Sequence, residues 1–254
     1  MKVIINADDC GIDIRHDSHI REMIENGKIS STTIMANMDD FEGALHLYEE
    51  YHSDISFGVH LNLTEGAALL NNDVLIEYGL CTMKEGKMYF VRHQPNSKRY
   101  KYLPYKVKEA IYREFSAQIE KIQSYGVQLS HIDSHHHIHT SPNLISVMAQ
   151  ISKDFNIPKM RRMRNYVPHG TSFYGRQLWV FLSKLHNRNY KFTNYFGSAL
   201  EYFEKPYLFS LGTGDTIELM CHPGNQGEQC MDEEKLLKEL SFPRDMEIIT
   251  YNEL

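Results

Sequence analysis

Short runs of apolar and β-branched residues alternate along most of the chain with longer stretches of helical periodicity, a pattern that predicts parallel β/α units. The first run, Val3-Ile4-Ile5, ends in Ala7-Asp8-Asp9-Cys10-Gly11, where Asp and Gly favour a turn at Cys10-Gly11. A helix is expected over Asp17 to Glu25, stopped by Asn26-Gly27. Thr32 to Met35 reads as a second strand, Phe41 to Tyr51 as a helix and Ile55 to Leu63 as a third strand. Residues 65 to about 104 break the rhythm with Gly66, Gly79, Gly86, Pro95 and Pro104 amid tyrosines, and are expected to form an excursion facing substrate. Helical spacing returns from Val107 to Ile122, followed by Gly126. Leu129 to His137 is expected as the fourth strand and Leu144 to Phe155 as a helix, with Pro142 near its start. A short strand near Met160, a helix over Leu178 to Leu185, a strand over Ile217 to Cys221, a helix over Glu233 to Leu240 and a strand over Met246 to Tyr251 complete the pattern. Six or seven strands with intervening helices predict an α/β fold, a distorted, incomplete (β/α) barrel forming a single catalytic domain across residues 1–254. An open doubly wound sheet is the alternative, but no GxGxxG follows the first strand.

A formal charge of −6 gives no support for a nucleic-acid partner or an anionic membrane surface. The four cysteines, Cys10, Cys81, Cys221 and Cys230, are scattered, so neither a disulfide framework nor a cysteine zinc site is indicated. No apolar run has the length of a signal peptide or a membrane span, and the chain is expected to be cytoplasmic.

What departs from an ordinary composition is the histidine count, 14, with five histidines between His131 and His139. If this stretch runs extended, His131, Asp133, His135, His137 and His139 share one face. Imidazoles beside a carboxylate are the usual ligand set of a transition metal. In Gly58-Val59-His60-Leu61-Asn62-Leu63-Thr64 the aliphatic residues face one way and His60, Asn62 and Thr64 the other, which implies a wet cavity on that side. Asp8-Asp9 at a strand end offers one carboxylate to ligate a cation and one to act as a base. His222 closes a strand that runs into Pro223-Gly224, and barrel chemistry gathers at such strand ends.

Together, Asn6-Ala7-Asp8-Asp9, Ser31-Thr32-Thr33-Ile34-Met35, Gly58 to Thr64, His131 to His139 and Cys221-His222-Pro223-Gly224 resemble the motifs of the YdjC-like carbohydrate deacetylases, in the same order. The resemblance implies a barrel of the polysaccharide-deacetylase kind, one divalent metal ion, zinc or magnesium, and a homodimer. It implies that Asp9, His60 and His135 are the metal ligands, that Asp8 is the catalytic base, and that His222 is a general acid or a substrate-orienting group. Asp133 and His137 or His139 are then expected to orient His135 through its other ring nitrogen. The implied substrate is a small acetylated sugar or a short oligosaccharide, on which Tyr78, Tyr89, Phe90 and Tyr100 are candidates to stack. Cys10 stands where that family usually carries phenylalanine.

Three other readings compete. A metal-dependent phosphoesterase or amidohydrolase would use His135 and His137 as a pair, two metals, and Arg161, Arg162 and Arg164 as a phosphate pocket. Two histidines and a carboxylate also describe non-haem iron oxygenases, which usually sit on all-β sandwiches. A non-catalytic metal- or sugar-binding protein would have no need of a second aspartate beside Asp9.

Overall fold

In the computed structural model, which describes residues 1–93, 97–166, 178, 181–182, 184–185, 190–204 and 211–254, parallel strands curl into a half-barrel. The strands are β1 (Lys2–Cys10), β2 (Ser31–Ile34), β3 (Ser56–Leu61), β6 (Ile132–Ser134), β7 (Tyr195–Ser198) and β8 (Thr216–Cys221). They lie in the order β6-β3-β2-β1-β8-β7, and a two-residue β9 (Glu247–Ile248) pairs with the start of β1. The ends of this curl are bridged by the run 159–166. Ile132 pairs with Met160, Lys159 pairs with Lys191, and the amides of Asn165 and Tyr166 donate to the Phe196 carbonyl.

Alternation along the strands decides what each side of the sheet meets. Val3, Ile5 and Ala7 of β1, Phe57, Val59 and Leu61 of β3, and Ile217, Leu219 and Cys221 of β8 belong to the main hydrophobic core. That core is completed by buried faces of α1 (Ile14–Glu25), α2 (Phe41–Tyr51), α5 (Tyr105–Gln123) and α6 (Ile145–Asp154). The intervening positions, Asn6, Asp8, His60 and Glu218, are all buried and belong to the opposite, polar face. Ile4 joins a small separate cluster with Ile249 and Tyr251. The tail thus plugs the curl. Tyr251 stacks on His131 with ring centroids 3.5 Å apart and donates its hydroxyl to Glu218 at 2.5 Å. Gly58 is required beside them, because a Cβ there would meet the His131 ring at 2.4 Å.

Most helix and strand expectations agree with the structure to within a few residues, and the exceptions are informative. The strand expected over Leu129 to His137 is only Ile132–Ser134, because the chain turns through a 3-10 segment, His135–Thr140, with His136 and His137 at φ 52° and 56°. The shared face of four histidines and Asp133 therefore does not form. The last strand stops at Ile248, since Tyr251 belongs to a short 3-10 turn. The helix expected at Glu233 begins earlier, as Glu228–Glu239 (α8). Residues 65–104 contain a helix α3 (Asp73–Tyr78), a hairpin of β4 (Cys81–Lys84) and β5 (Lys87–Phe90), and a short α4 (Lys98–Lys101). The helix expected over Leu178 to Leu185 falls largely outside the described residues. Strand β7 and α7 (Ala199–Glu204) were not anticipated from the pattern. Among the described residues no helix is long and apolar enough to cross a membrane.

Candidate active site

The parallel strands deliver their C-terminal ends to one rim of the curl, and the candidate residues gather there. Asp8 and Asp9 converge through a bulge in β1. Ala7 pairs with Thr32 and Cys10 with Ile34, so three steps along β1 match two along β2. The extra residue is absorbed at Asp9, whose φ of 69° is in the left-handed region. The turn expected at Cys10-Gly11 thus begins one residue earlier, at a non-glycine position that costs on the order of 1–3 kcal/mol.

Asp9 Oδ1 lies 2.8 Å from His135 Nδ1 and 3.2 Å from His60 Nε2. All three side chains are buried, and their donor atoms lie within 4.8 Å of one another. Each imidazole has a second carboxylate on its other nitrogen: Asp133 Oδ1 at 2.6 Å from His60 Nδ1, and Glu65 Oε2 at 3.0 Å from His135 Nε2. Burial alone would lower the pKa of His60, but the carboxylates of Asp133, Asp9 and Asp8 hold it up at about 10. Two imidazoles and a carboxylate converging on one point, their outer nitrogens tied down, fit a divalent metal well. The set leaves coordination positions for other ligands, the mark of a catalytic site more than a closed structural one. The positive charge that the three carboxylates now draw onto His60 is what a cation would replace, with release of protons.

Behind this cluster Arg161, fully buried, faces three acids. Its Nη1 and Nη2 donate to the two carboxylate oxygens of Asp8, each at 2.6 Å; Nη1 also lies 2.8 Å from Asp133, and Nε donates to Glu218 at 2.7 Å. Asn6 Nδ2 adds a bond to Asp8 at 2.8 Å. Burial would raise the pKa of Asp8, but the guanidinium outweighs it and holds the carboxyl well below the usual range. For Glu218 burial wins over Arg161, pushing it up to about 7.

His222 stands at the end of β8, its Nε2 3.8 Å from Asp8 Oδ2 and its Nδ1 3.7 Å from Glu233 Oε2. Glu233 is in turn held by Ser198 Oγ and the amide of Leu200. Burial would lower the pKa of His222, but Glu233, Asp8 and Asp9 hold it up at about 9. The turn after it needs Gly224, at φ 79°, where a Cβ would meet the His16 backbone at 2.8 Å. A cavity of about 270 Å³ opens beside His222, lined by Arg164, Ser198, Met220, Gln229 and Glu233 among others.

Several expectations need correction. Asp133 orients His60, not His135. His137 lies edge-on to Phe196, and His139 bonds Ser134 Oγ, so the group on the outer nitrogen of His135 is Glu65. Arg161, Arg162 and Arg164 do not form a phosphate pocket: Arg161 is committed to acids in the interior, Arg162 to the carbonyls of Thr193 and Asn194, and Arg164 to Glu201. Phe90 and Tyr100 are buried and cannot present a face to a sugar, whereas Tyr78 and Tyr89 are partly exposed. Arg161, Glu65, Glu233 and Tyr251 were not singled out for these roles. Only Glu65 left a local signal, directly after the polar stripe of His60, Asn62 and Thr64.

Comparison with known proteins adds a second line of observation. The family model described as YdjC-like protein matches residues 2–254. A carbohydrate deacetylase of Clostridium beijerinckii is 30% identical over 99% of this chain and 94% of its own length. One from Geobacillus stearothermophilus is 29% identical over 98% and 96%, and one from Vibrio parahaemolyticus 29% identical over 88% and 78%. A crystal structure from Enterococcus faecalis V583, described as a candidate cellobiose-phosphate cleavage protein, superposes with a TM-score of 0.75 at 22% identity, covering 99% of this chain and 98% of that one. At that identity the likeness speaks for the fold.

Proposed function

This chain belongs to the YdjC-like family, and on that premise we propose that it is a metal-dependent carbohydrate deacetylase, a hydrolase that removes the N-acetyl group from an acetylated amino sugar or a short oligosaccharide. The observation that carries this reading is the placement of Asp8 and His222 beside the Asp9, His60 and His135 cluster at one rim of the curl. The relatives named carbohydrate deacetylase supply the substrate class.

Asp9, His60 and His135 would hold the metal. Two imidazoles and a carboxylate suit zinc better than magnesium, which prefers oxygen donors. When bound, such an ion supplies activated water at neutral pH and electrostatic stabilisation of a developing oxyanion. The chain's own residues carry the protons. Asp8, ionised under its Arg161 clamp, accepts the proton of the attacking water. The clamp fixes the carboxylate but makes it a weak base, so it gives the proton up readily once His222 has donated its own. His222, charged at neutral pH, donates from Nε2 to the amide nitrogen as the C–N bond breaks, since that nitrogen leaves poorly as an anion. Asp8 then returns a proton to His222 across their 3.8 Å separation, and acetate and a free amine result.

The test is acetate release from N,N′-diacetylchitobiose by metal-stripped protein, with zinc, cobalt, nickel or magnesium added back singly. Release that disappears on stripping and returns with one metal supports the reading. Release indifferent to stripping contradicts the metal, and metal uptake without acetate from this or other acetylated sugars contradicts the reaction.

A further inference from the structure

The loop after β3 grips the histidine turn at two places. Thr64 Oγ1 meets His136 Nδ1 at 2.8 Å, and Glu65 Oε2 meets His135 Nε2 at 3.0 Å. The turn needs holding, because His136 and His137 are successive left-handed residues, each costing on the order of 1–3 kcal/mol. Glu65 is itself clamped at the backbone. Asn62 Oδ1 accepts from its amide at 3.2 Å, and its carbonyl accepts from Asn62 Nδ2 at 2.7 Å and Asn37 Nδ2 at 3.2 Å. Asn62 is fully buried and locked in turn by Gln118, which bonds both its amide and its carbonyl. The polar stripe of β3 is therefore less a cavity lining than a mounting, with His60 facing Asp9 and Asn62 fixing the loop that carries Glu65.

We propose that Glu65 is a positioning residue of the metal centre, accepting the Nε2–H of His135 so that Nδ1 is aimed at Asp9. The inference rests on the metal reading of Asp9, His60 and His135 and is independent of which acyl group is cleaved. Groups that fix the outer nitrogen of a ligating histidine set its tautomer and orientation, and their loss usually weakens metal binding by about 10- to 100-fold.

The experiment is calorimetric titration of metal-stripped protein with zinc alone, in the parent and in Glu65→Ala, Glu65→Gln and Glu65→Asp, with thermal unfolding of each. Glu65→Ala is expected to bind zinc about 10- to 100-fold more weakly with an unchanged unfolding midpoint. Glu65→Gln keeps an acceptor oxygen at the same reach and recovers most of the loss. Glu65→Asp, one methylene shorter on a clamped backbone, recovers little. Parent-like affinity in Glu65→Ala overturns the proposal, as does rescue by Asp but not Gln, which would make charge and not position the cause. A parent that binds no zinc also overturns it. A parent that binds zinc with this pattern yet releases no acetate leaves it standing and removes only the deacetylase reading.

Discussion

The two histidines that face Asp9 lean on carboxylates of opposite character. His60 leans on Asp133, whose side chain is fully buried and pairs with Arg161, the same guanidinium that holds Asp8 and Glu218 on the polar face of the curl. His135 leans on Glu65, whose side chain is 48% exposed on a loop. The inner half of the site is part of the fold, so damage there should register first as lost stability. The outer half is fastened onto the fold, and damage there should register as lost metal affinity in a chain that still folds.

The hardest blow to this contrast is Arg161→Met. Removing a buried cation that faces three acids should cost about 3–5 kcal/mol of unfolding free energy, measured by chemical denaturation, while Glu65→Ala moves the same transition little. A loss below about 1 kcal/mol for Arg161→Met would erase the distinction between the halves.

A second prediction concerns the rate. In the proposed mechanism His222 must be charged to donate its proton, and its pKa is held at about 9 by Glu233, Asp8 and Asp9 against burial. The charged form dominates below that value, so activity should be sustained toward pH 9 and fall about tenfold per unit above it. In Glu233→Gln that limb should move to lower pH, because the nearest supporting carboxylate is gone. A limb that stays in place would detach His222 from the proton donor's role.

The smallest expected effect is that of Tyr251→Phe. It removes the hydroxyl that donates to buried Glu218 and should cost about 1 kcal/mol in denaturation without changing zinc affinity.

The same division separates what could be read in the sequence from what could not. Strand-borne residues announce themselves through alternation: His60 stands out between Val59 and Leu61, and Asp8-Asp9 at the end of an apolar run. The structure gathers Asp8, Asp9, His60, His135 and His222 at one rim. The α/β alternation gave the curled parallel sheet for the same reason. Turns and long-range partners leave no such trace. Two successive histidines at positive φ, His136 and His137, follow the strand that ends at Ser134, and although histidine visits this region more than most side chains, nothing in the sequence marks two in a row. Arg161 meets Asp8 across 153 residues and Glu65 meets His135 across 70, so their pairing exists only once the sheet has curled. Strand β7, Tyr195–Ser198, carries Gly197 and Ser198 in two of its four positions, so no apolar or β-branched run marks it.

The central claim is that Asp9, His60 and His135 hold the metal while Asp8 serves the chemistry, and Asp8→Asn separates these roles most directly. Zinc titration and acetate release from N,N′-diacetylchitobiose should be measured on the same preparation. The account predicts zinc affinity close to that of the parent and turnover lower by about two to four orders of magnitude. Acetate release at the parental rate in Asp8→Asn would contradict it.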